Sequence, residues 1–512
     1  MLRRERLWIV GVSVMTLGLL SLPHLDHTVD DAFIGFRYAE NLIRGHGLVF
    51  NQGERVEGYT NFLWVILLAP CLALSIDPEV ASKVMGFVAA AATLAAVVRL
   101  GSRQNRFPES RWVAPLLLAS SPPFAVWATG GMETPLFTCL VAWSAALTVE
   151  GTERGALGAG VGLLLGAMAL TRPEGAGVAA VIGVMAWAVG PRTPEFRRSC
   201  LRCAAIFLAV FVPYFAWRWW YYARPLPNTF YAKVGASVAQ VHRGLSYAHA
   251  FFAFSGYWLL LPLMGLRWCA GRRAALLLGG PTLALLGYTI AVGGDALPMF
   301  RFFTPLLPAF FLLLAMGADG ILERLGGLRR ARAGIIALFV LAGIFAARVG
   351  ITGPLYEEVR RDSREVSAWK EIGAWLRQHV PRDATVAVIP AGAIPFVSKL
   401  RAIDMLGLND ATIAHRDMPG FGSGLPGHEK FDVDYVLSRR PDVILLGVYG
   451  LDPNPRPPWE MVHYYYEAEW RMLDSKRFGE DYRLHTGRTP GGYFPFFARA
   501  VPPAGAPAPP SR

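Results

Sequence analysis

Two adjacent carboxylates, Asp30 and Asp31, follow the first apolar run of the chain in the stretch VDDAFIGFRYAENLIRGHGLVFN. Two like charges this close raise the pKa of one carboxyl group and disfavour joint ionisation, unless a cation or a hydrogen-bond donor stands between them. Such a pair suits a general base, which removes a proton from a reacting group. The plainer interpretation is a turn with a helix cap, because Asp is a favoured N-cap residue. Spacing alone favours the cap.

A short helix must position this pair. The segment AFIGFRYAENLIR predicts a helix with Asp31 as its N-cap and Gly45 as the C′ residue beyond its end. Asp30 would then remain free of the helix. Arg37 lies on the helix, where it could hold a phosphate or extend its side chain along the membrane interface.

The composition indicates that these residues belong to a membrane protein. Of the 512 residues, 53% are hydrophobic and only 17% are charged. The apolar residues form separate runs near the ~20 residues that a spanning helix needs. The net charge of +12 comes largely from Arg in short loops between the runs, and no basic stripe interleaved with stacking aromatics indicates a nucleic-acid partner. The sequence therefore predicts a polytopic α-helical membrane protein.

Arg-rich loops predict the topology. They fall on one side of the membrane only if the run 61–76, which contains Pro70, does not cross but lies on the outer face. The other runs, such as 112–129 and 250–266, then give about eleven spans, with the N-terminus inside and the C-terminus outside. The Arg-rich loops are 99–111, 192–202, 267–273 and 324–332.

The composition also divides the chain into three parts. Residues 1–350 hold the spans, and their outer loop 23–79 carries the acidic pair and interfacial helices. Residues 351–500 combine a helical pattern with the short strand-like runs ATVAVIP and PDVILLGVYG, which predicts an extracytoplasmic α/β domain. Residues 501–512 are rich in Pro and are predicted to be disordered.

An ordered set of motifs resembles a known enzyme family. The stretch DDAFIGFRYAENLIRGHGLVFNQGERVEGYTNFLW, then TRPEG, PNTFYAK and GGD…FRFFTPLLP, with AIDMLGLND and GHEKFDVDYVLSRRPDVILL in the last domain, resembles the terminal β-(1→2)-arabinofuranosyltransferases of the GT-C superfamily. This resemblance extends over nearly the whole chain. It implies a GT-C-like fold in the cytoplasmic membrane and transfer of a sugar from a polyprenyl-phosphate donor to an extracytoplasmic glycan of the cell envelope. Arabinofuranose is the family's sugar, but the sugar of this chain does not follow from the match.

The resemblance makes the polar residues of the outer face candidates for a site. Asp30 is expected to be the general base, and Asp31 is expected to position it through the helix cap or a bound divalent cation, although no complete set of metal ligands is readable. Cations suit the donor phosphate, and carboxylates, amides and phenols suit sugar hydroxyls. The expected phosphate ligands are Arg37, Arg172, Lys233 and Arg301, and the expected sugar or acceptor ligands are Glu54, Glu57, Tyr59, Asn61, Glu133, Glu174, Asn228 and Asp295.

Two other function classes stay open. A lipid-linked sugar transporter or flippase predicts internal repeats, broken helices and charges at mid-membrane. The sequence has Pro122, Pro123 and Pro213 inside apolar runs, but it has no repeat. In a non-enzymatic membrane assembly protein, such as a flagellar-motor-associated factor, the acidic pair would be a helix cap only.

Overall fold

The computed structural model describes residues 2–235, 237–269 and 271–500. The Pro-rich tail 501–512 lies outside the described residues, as do positions 1, 236 and 270. Up to residue 351 the described chain is helical. Its helices are α1 (Leu2–Ser21), α2 (Asp30–Ile43), α3 (Phe62–Ala73), α4 (Pro78–Gln104), α5 (Ser110–Ser120), α6 (Pro122–Trp127), α7 (Thr134–Arg154), α8 (Ala159–Thr171), α9 (Glu174–Val189), α10 (Pro194–Tyr222), α11 (Asn228–Lys233), α12 (Val238–Ser255), α13 (Arg272–Ala291), α14 (Leu307–Arg324) and α15 (Arg329–Ile351), with 3₁₀ segments at Leu22–His24, Tyr257–Trp268 and Arg301–Leu306.

Several helices are long and apolar enough to cross a membrane by length and composition, so the protein is a multi-pass membrane protein, as predicted. The run 61–76 forms only the 12-residue helix α3, whose rise of about 18 Å is short of the ~30 Å hydrocarbon core. The count of eleven spans stays a prediction. The helical segments that each contain an apolar stretch of this length are Arg3–His24, Pro78–Gln104, Pro194–Tyr222, Arg272–Ala291, Arg301–Arg324 and Arg329–His379.

Two apolar runs that were expected to be single spans are divided. The run 112–129 breaks between α5 and α6, where Ser121 has an extended backbone with ψ 122°. The following Pro122 favours that conformation. The run 250–266 breaks at Gly256, which has φ 81° and separates α12 from a 3₁₀ segment. Pro and Gly therefore interrupt helices whose hydropathy alone indicates continuity.

The helix α2 begins two residues earlier than the sequence predicts. Its N-cap is Val29, with φ −71° and ψ 150°, so the expectation that Asp31 caps this helix is wrong. Both carboxylates lie in the first turn, where they complement the helix dipole. The expected end is confirmed, because Gly45 has φ 81° and its N–H donates to the Leu42 carbonyl at 3.1 Å.

The C-terminal part confirms the predicted α/β fold. A long amphipathic helix, α16 (Pro354–His379), packs beside a five-stranded sheet with the order β2-β1-β3-β5-β4. β1 is parallel to β2 and β3, whereas β5 is antiparallel to β3 and β4. The elements are β1 (Thr385–Val388), α17 (Ala393–Ser398), β2 (Arg401–Asp404), α18 (Ala411–Ala414), α19 (Val433–Ser438), β3 (Val443–Ile444), a 3₁₀ segment at Pro458–Glu460, α20 (Glu467–Leu473), α21 (Lys476–Asp481), β4 (Tyr482–Thr489) and β5 (Gly492–Arg499).

Polar contacts join this α/β part to the outer loops of the helical part. The buried Arg37 guanidinium donates to the carbonyls of Pro395 at 2.5 Å and Leu400 at 2.8 Å. The Asn228 amide donates to the Gly407 carbonyl at 2.8 Å. Because buried hydrogen bonds of this kind are costly to break, the loop that carries the acidic pair is fixed to the C-terminal part.

Candidate active site

A chamber with an empty volume of about 1010 Å³ opens at the end of the helical bundle where α2, α7 and α9 begin. We call it the inner chamber. The predicted site residues that line it are Asp31, Tyr59, Asn61, Glu133, Arg172, Glu174, Lys233, Asp295 and Arg301.

A second cavity, of about 1730 Å³, lies between the helical part and the C-terminal part. We call it the interdomain cleft; Asp30, α16 and the segments around His428, Tyr449 and Tyr466 line it. Asp31, Lys233 and Asp295 line both cavities. The acidic pair therefore stands at the junction of the two cavities.

Asp30 is held by the C-terminal part. Its carboxylate accepts hydrogen bonds from the backbone N–H groups of Gly392 at 2.8 Å and Ala393 at 2.7 Å, at the start of α17. Burial raises the pKa of Asp30 to about 7, although these N–H groups lower it, and the charge of Asp31 raises it further. A Cβ at Gly392 would overlap the Asp30 backbone carbonyl, so this close contact requires glycine.

Asp31 is held less tightly and can be reached from both cavities. Its carboxylate lies 3.5 Å from the Lys233 ammonium, and its side chain is 26% exposed. Burial would raise the pKa of Asp31, but the positive charges of Lys233 and Arg301 outweigh burial and hold it below its usual value. Asp31 is therefore the acid of the pair with the lowered pKa, and it can be reached from both cavities.

A fixed group of charges forms one wall of the inner chamber. The Arg172 guanidinium contacts Glu133 at 3.1 Å and Glu174 at 2.5 Å. Asn61 donates to the other Glu133 oxygen at 2.8 Å. In the described part of the chain, Arg172 Nη2 makes no hydrogen bond and the buried Asn61 Oδ1 has no partner. These atoms remain available to a ligand.

Arg301 belongs to a second group of charges in the chamber lining, and it lies over the same Phe302 ring as Arg172, with centroid distances of 5.1 and 4.9 Å. It binds Asp295 through two hydrogen bonds of 2.7 and 3.0 Å, and its third nitrogen contacts the Met132 sulfur at 2.9 Å. The two residues before it, Met299 and Phe300, have φ 56° and 48°. Left-handed backbone at non-glycine residues costs of order 1–3 kcal/mol each and is often found at functional sites.

The lining charges of the inner chamber nearly balance. Four carboxylates face the three cations Arg172, Lys233 and Arg301. No three His, Cys, Asp or Glu side chains within residues 2–235, 237–269 and 271–500 are arranged to hold a metal ion. Lys233 is the cation with the fewest contacts, because its ammonium meets only Asp31 among the ion pairs of the described residues.

Comparison with known proteins finds one family model that matches the C-terminal part and two relatives that match most or about half of the chain. Residues 356–494 match a family described as a domain of unknown function, DUF8728. The chain is 28% identical over 403 residues to a terminal beta-(1->2)-arabinofuranosyltransferase of Mycobacterium tuberculosis, covering 73% of this chain and 60% of that protein. It is also 28% identical over 331 residues to the protein of the same name from Corynebacterium glutamicum, covering 56% of this chain and 47% of that protein. The chain thus spans about half the length of these curated relatives.

Solved structures show the fold. The structure of ArnT from Cupriavidus metallidurans bound to undecaprenyl phosphate matches with a TM-score of 0.63 at 12% identity and covers 98% of this chain and 99% of that chain. The apo structure of the same protein matches with a TM-score of 0.57 at 13% identity, covering 86% and 92%. The chain has the GT-C fold. The resemblance found in the sequence is confirmed.

Four predicted ligand-binding residues line neither cavity of this GT-C fold. Glu54 forms ion pairs with Arg401 and Arg439, and Glu57 pairs with the buried Arg218 at 2.6 Å. Arg37 and Asn228 donate hydrogen bonds to backbone carbonyls of the C-terminal part. The four residues are Arg37, Glu54, Glu57 and Asn228, and we assign them to holding the fold together.

Sequence reasoning missed the residues that the C-terminal part contributes. Glu358, Asp362 and Glu365 lie at helical spacing on α16 and line the interdomain cleft. Burial raises the pKa of Asp362 to about 8 and lowers that of His428 to about 4. The acidic stripe in YEEVRRDSREV was the one available signal, but no motif linked it to the acidic pair.

Proposed function

We propose that the chain is a membrane glycosyltransferase. It transfers a sugar from a polyprenyl-phosphate donor to an extracytoplasmic glycan of the cell envelope, and it lies in the cytoplasmic membrane with both cavities outside. The GT-C fold and the names of the relatives support this function. One observation carries it: an ionised, accessible Asp31 lies beside Lys233 where the two cavities meet.

The inner chamber takes the donor, whose lipid tail stays in the bilayer. Lys233 is the leading phosphate ligand because its ammonium has a single carboxylate partner among the described residues. Arg172 offers its remaining Nη2, and Arg301 contributes its charge from the same chamber lining. The walls supply hydroxyl ligands for the donor sugar. These are Tyr59, Asn61, Glu133, Glu174 and Asp295.

Asp31 acts as the general base. It removes the proton from the acceptor hydroxyl as that oxygen bonds to the anomeric carbon of the sugar. The bond between the anomeric carbon and the phosphate oxygen breaks, and polyprenyl phosphate leaves with the bonding electrons. The nearby cations offset the charge that builds on the phosphate. Asp30 positions this centre through its two hydrogen bonds to the C-terminal part.

The donor sugar is proposed from the relatives. Both curated relatives carry the name terminal beta-(1->2)-arabinofuranosyltransferase. Arabinofuranose on a polyprenyl phosphate is therefore the first donor to test, followed by other pentoses and hexoses on the same lipid.

An assay with purified protein tests the function. Full-length protein in nanodiscs is given a polyprenyl-phosphate sugar labelled in the sugar, with an oligosaccharide acceptor. We expect labelled oligosaccharide and an equal amount of free polyprenyl phosphate, and we expect Asp31→Asn to abolish both. A flippase would move the labelled lipid across a vesicle membrane without releasing the lipid phosphate. An assembly protein would do neither, and either result would refute the proposal.

Thiol labelling tests the orientation. In a variant without the five native cysteines, Ser423→Cys lies on the exposed surface of the C-terminal part, and Arg330→Cys lies at the start of α15. We expect a membrane-impermeant reagent to label the first in intact cells, or in spheroplasts if there is an outer membrane. The second should react only after lysis. The opposite pattern would place the cavities inside the cell.

A further inference from the structure

Aromatic side chains form part of the lining of the interdomain cleft. Tyr449 and Tyr466 line the cleft, and Tyr465 packs edge-on against Tyr449 with ring centroids 4.8 Å apart. The ring of His428 stacks on Tyr466 at 4.5 Å. We call Tyr449, Tyr465 and Tyr466 the tyrosine wall. Tyr449 and Tyr466 line the same cleft as Asp31.

A buried carboxylate builds this wall. Glu469 is 1% exposed, and it accepts a hydrogen bond of 2.7 Å from the Tyr449 hydroxyl. It also accepts hydrogen bonds from the backbone N–H groups of Gly447, Tyr465 and Tyr466 at 2.8, 2.9 and 3.2 Å. A buried carboxylate with four donors fixes the segments that carry the rings. The tyrosine wall is therefore preorganised.

The wall presents apolar ring surface to solvent. Tyr465 is 72% exposed, and Tyr449 and Tyr466 are partly exposed inside the cleft. Exposed aromatic surface at the rim of a polar cavity is typical of a binding surface. Aromatic rings pack against the apolar faces of sugar rings and offer hydroxyl groups at their edges.

The remaining polar lining of the cleft is acidic. Six carboxyl groups line it against the two cations Lys233 and Arg361. Carboxyl groups bind sugar hydroxyls whether or not they are protonated. The ionised Asp31 repels phosphates and uronates, and an anion in the cleft would raise the already raised pKa of Asp362 further. The charge of the cleft thus selects against an anionic acceptor.

We propose that the tyrosine wall is the acceptor subsite and that it binds an uncharged, hydroxyl-rich carbohydrate. This inference rests on the proposed function. The penultimate sugar lies against Tyr449 and Tyr466, and the terminal sugar extends to Asp31 with the hydroxyl that will be glycosylated. The carboxyl groups of α16 bind the remaining hydroxyls.

Alanine variants of neighbouring tyrosines test the subsite in full-length protein in nanodiscs. We expect Tyr466→Ala to raise the acceptor KM by about tenfold, as loss of a ring contact predicts, and to change the donor KM much less. Tyr466→Phe, which keeps the ring, should recover most of the acceptor affinity. Tyr464→Ala is the matched control, because Tyr464 is 58% exposed on the same segment but does not line the cleft.

Binding measurements separate this inference from the proposed function. The probes are an uncharged oligosaccharide and a uronic-acid oligosaccharide of the same length, titrated without donor. We expect only the uncharged probe to bind and Tyr466→Ala to weaken it. This result would support the subsite even in a protein that transfers no sugar. Active transfer with a parental acceptor KM in the variants would overturn the subsite alone, as would preference for the uronic-acid probe. A third result would also overturn the subsite: variants that bind the probe normally and lose activity only in nanodiscs of anionic lipid. That result would show that the tyrosine wall contacts the bilayer.

Discussion

Arginine–carboxylate pairs occur at both ends of the helical bundle, but in different surroundings. The 27 residues of α4 separate these ends by about 40 Å. At the chamber end, the side chains of Arg172 and Arg301 are 7% and 6% exposed. At the opposite end, those of Arg103 and Arg106 are 33% and 67% exposed.

This difference in exposure changes what an arginine–carboxylate pair contributes to the protein. An exposed pair contributes about 0–1 kcal/mol to stability. Burying a pair instead costs desolvation energy that its attraction only partly offsets. The opposite end follows the usual preference of Arg for one side of a membrane. At the chamber end, the protein keeps buried charges around an open cavity, which is typical of a charged ligand site.

Asp31→Asn should cause the largest loss of sugar transfer. Removing a positioned base lowers the rate by roughly 10²–10⁴-fold, and the variant should still bind donor because the cations remain. Single-turnover transfer, normalised to folded protein, measures the loss. Asp30→Asn is the matched control and should lose less, because its carboxylate is already engaged by two N–H groups. A more severe Asp30→Asn would make Asp30 the base.

Gly392→Ala should be the next largest effect. The added methyl group would displace Asp30 and with it the start of α2, and a shift of about 1 Å near a reacting centre can lower the rate by about 10²-fold. Gly450→Ala is the control, because a Cβ there meets no heavy atom within 4 Å. Turnover and thermal unfolding are measured for both. Parental turnover in Gly392→Ala would show that this contact is only structural.

Lys233→Gln should weaken donor use while leaving the fold intact. Losing a charge-assisted contact costs roughly 1.5–3 kcal/mol, so we expect donor kcat/KM to fall about 10- to 100-fold. Arg172→Gln would be harder to interpret, because it leaves two buried carboxylates without their partner. Arg106→Gln, at the opposite end, should leave donor kinetics within about twofold of the parent. Equal losses in Lys233→Gln and Arg106→Gln would remove the distinction between the two ends.

The pH dependence should show the smallest change. The charge of Lys233 helps to hold the pKa of Asp31 below its usual value, so the base stays ionised at mildly acidic pH. Removing that charge in Lys233→Gln should raise the pKa of Asp31 and move the acid limb of kcat/KM to higher pH. Lys233→Arg keeps the charge and should keep the parental limb. The measurement is the pH profile of kcat/KM for the parent and both variants. An acid limb that does not move in Lys233→Gln would show that the pKa of Asp31 does not determine that limb.

Local patterns in the sequence predicted much of the fold. Apolar runs indicated the membrane part, and short apolar runs between Gly and Pro indicated β1 and β3. Gly45 marked the end of α2, because a left-handed C′ residue favours glycine. The breaks at Pro122 and Gly256 were also visible as residues, but hydropathy gives them little weight.

The different surroundings of the two acids were not predictable. The donors that hold Asp30 lie 362 and 363 residues away in the chain, and sequence spacing carries no information on such contacts. Without knowledge of these donors, the sequence favoured Asp31 as a helix cap, whereas the N-cap of α2 is Val29. The tyrosine wall was hidden in the same way, because Glu469 connects residues that look like an ordinary aromatic segment.

The contact between Asp30 and Gly392 also sets a time at which the site can form. At translation rates of 5–20 residues per second, the 362 residues between them take roughly 20 to 70 s to synthesise. During that interval the first helices can already meet lipid, but the acidic pair still lacks the backbone groups that fix it. The acidic pair of the nascent chain therefore gains its backbone donors only after the last third has folded, and a product truncated before Gly392 would lack them.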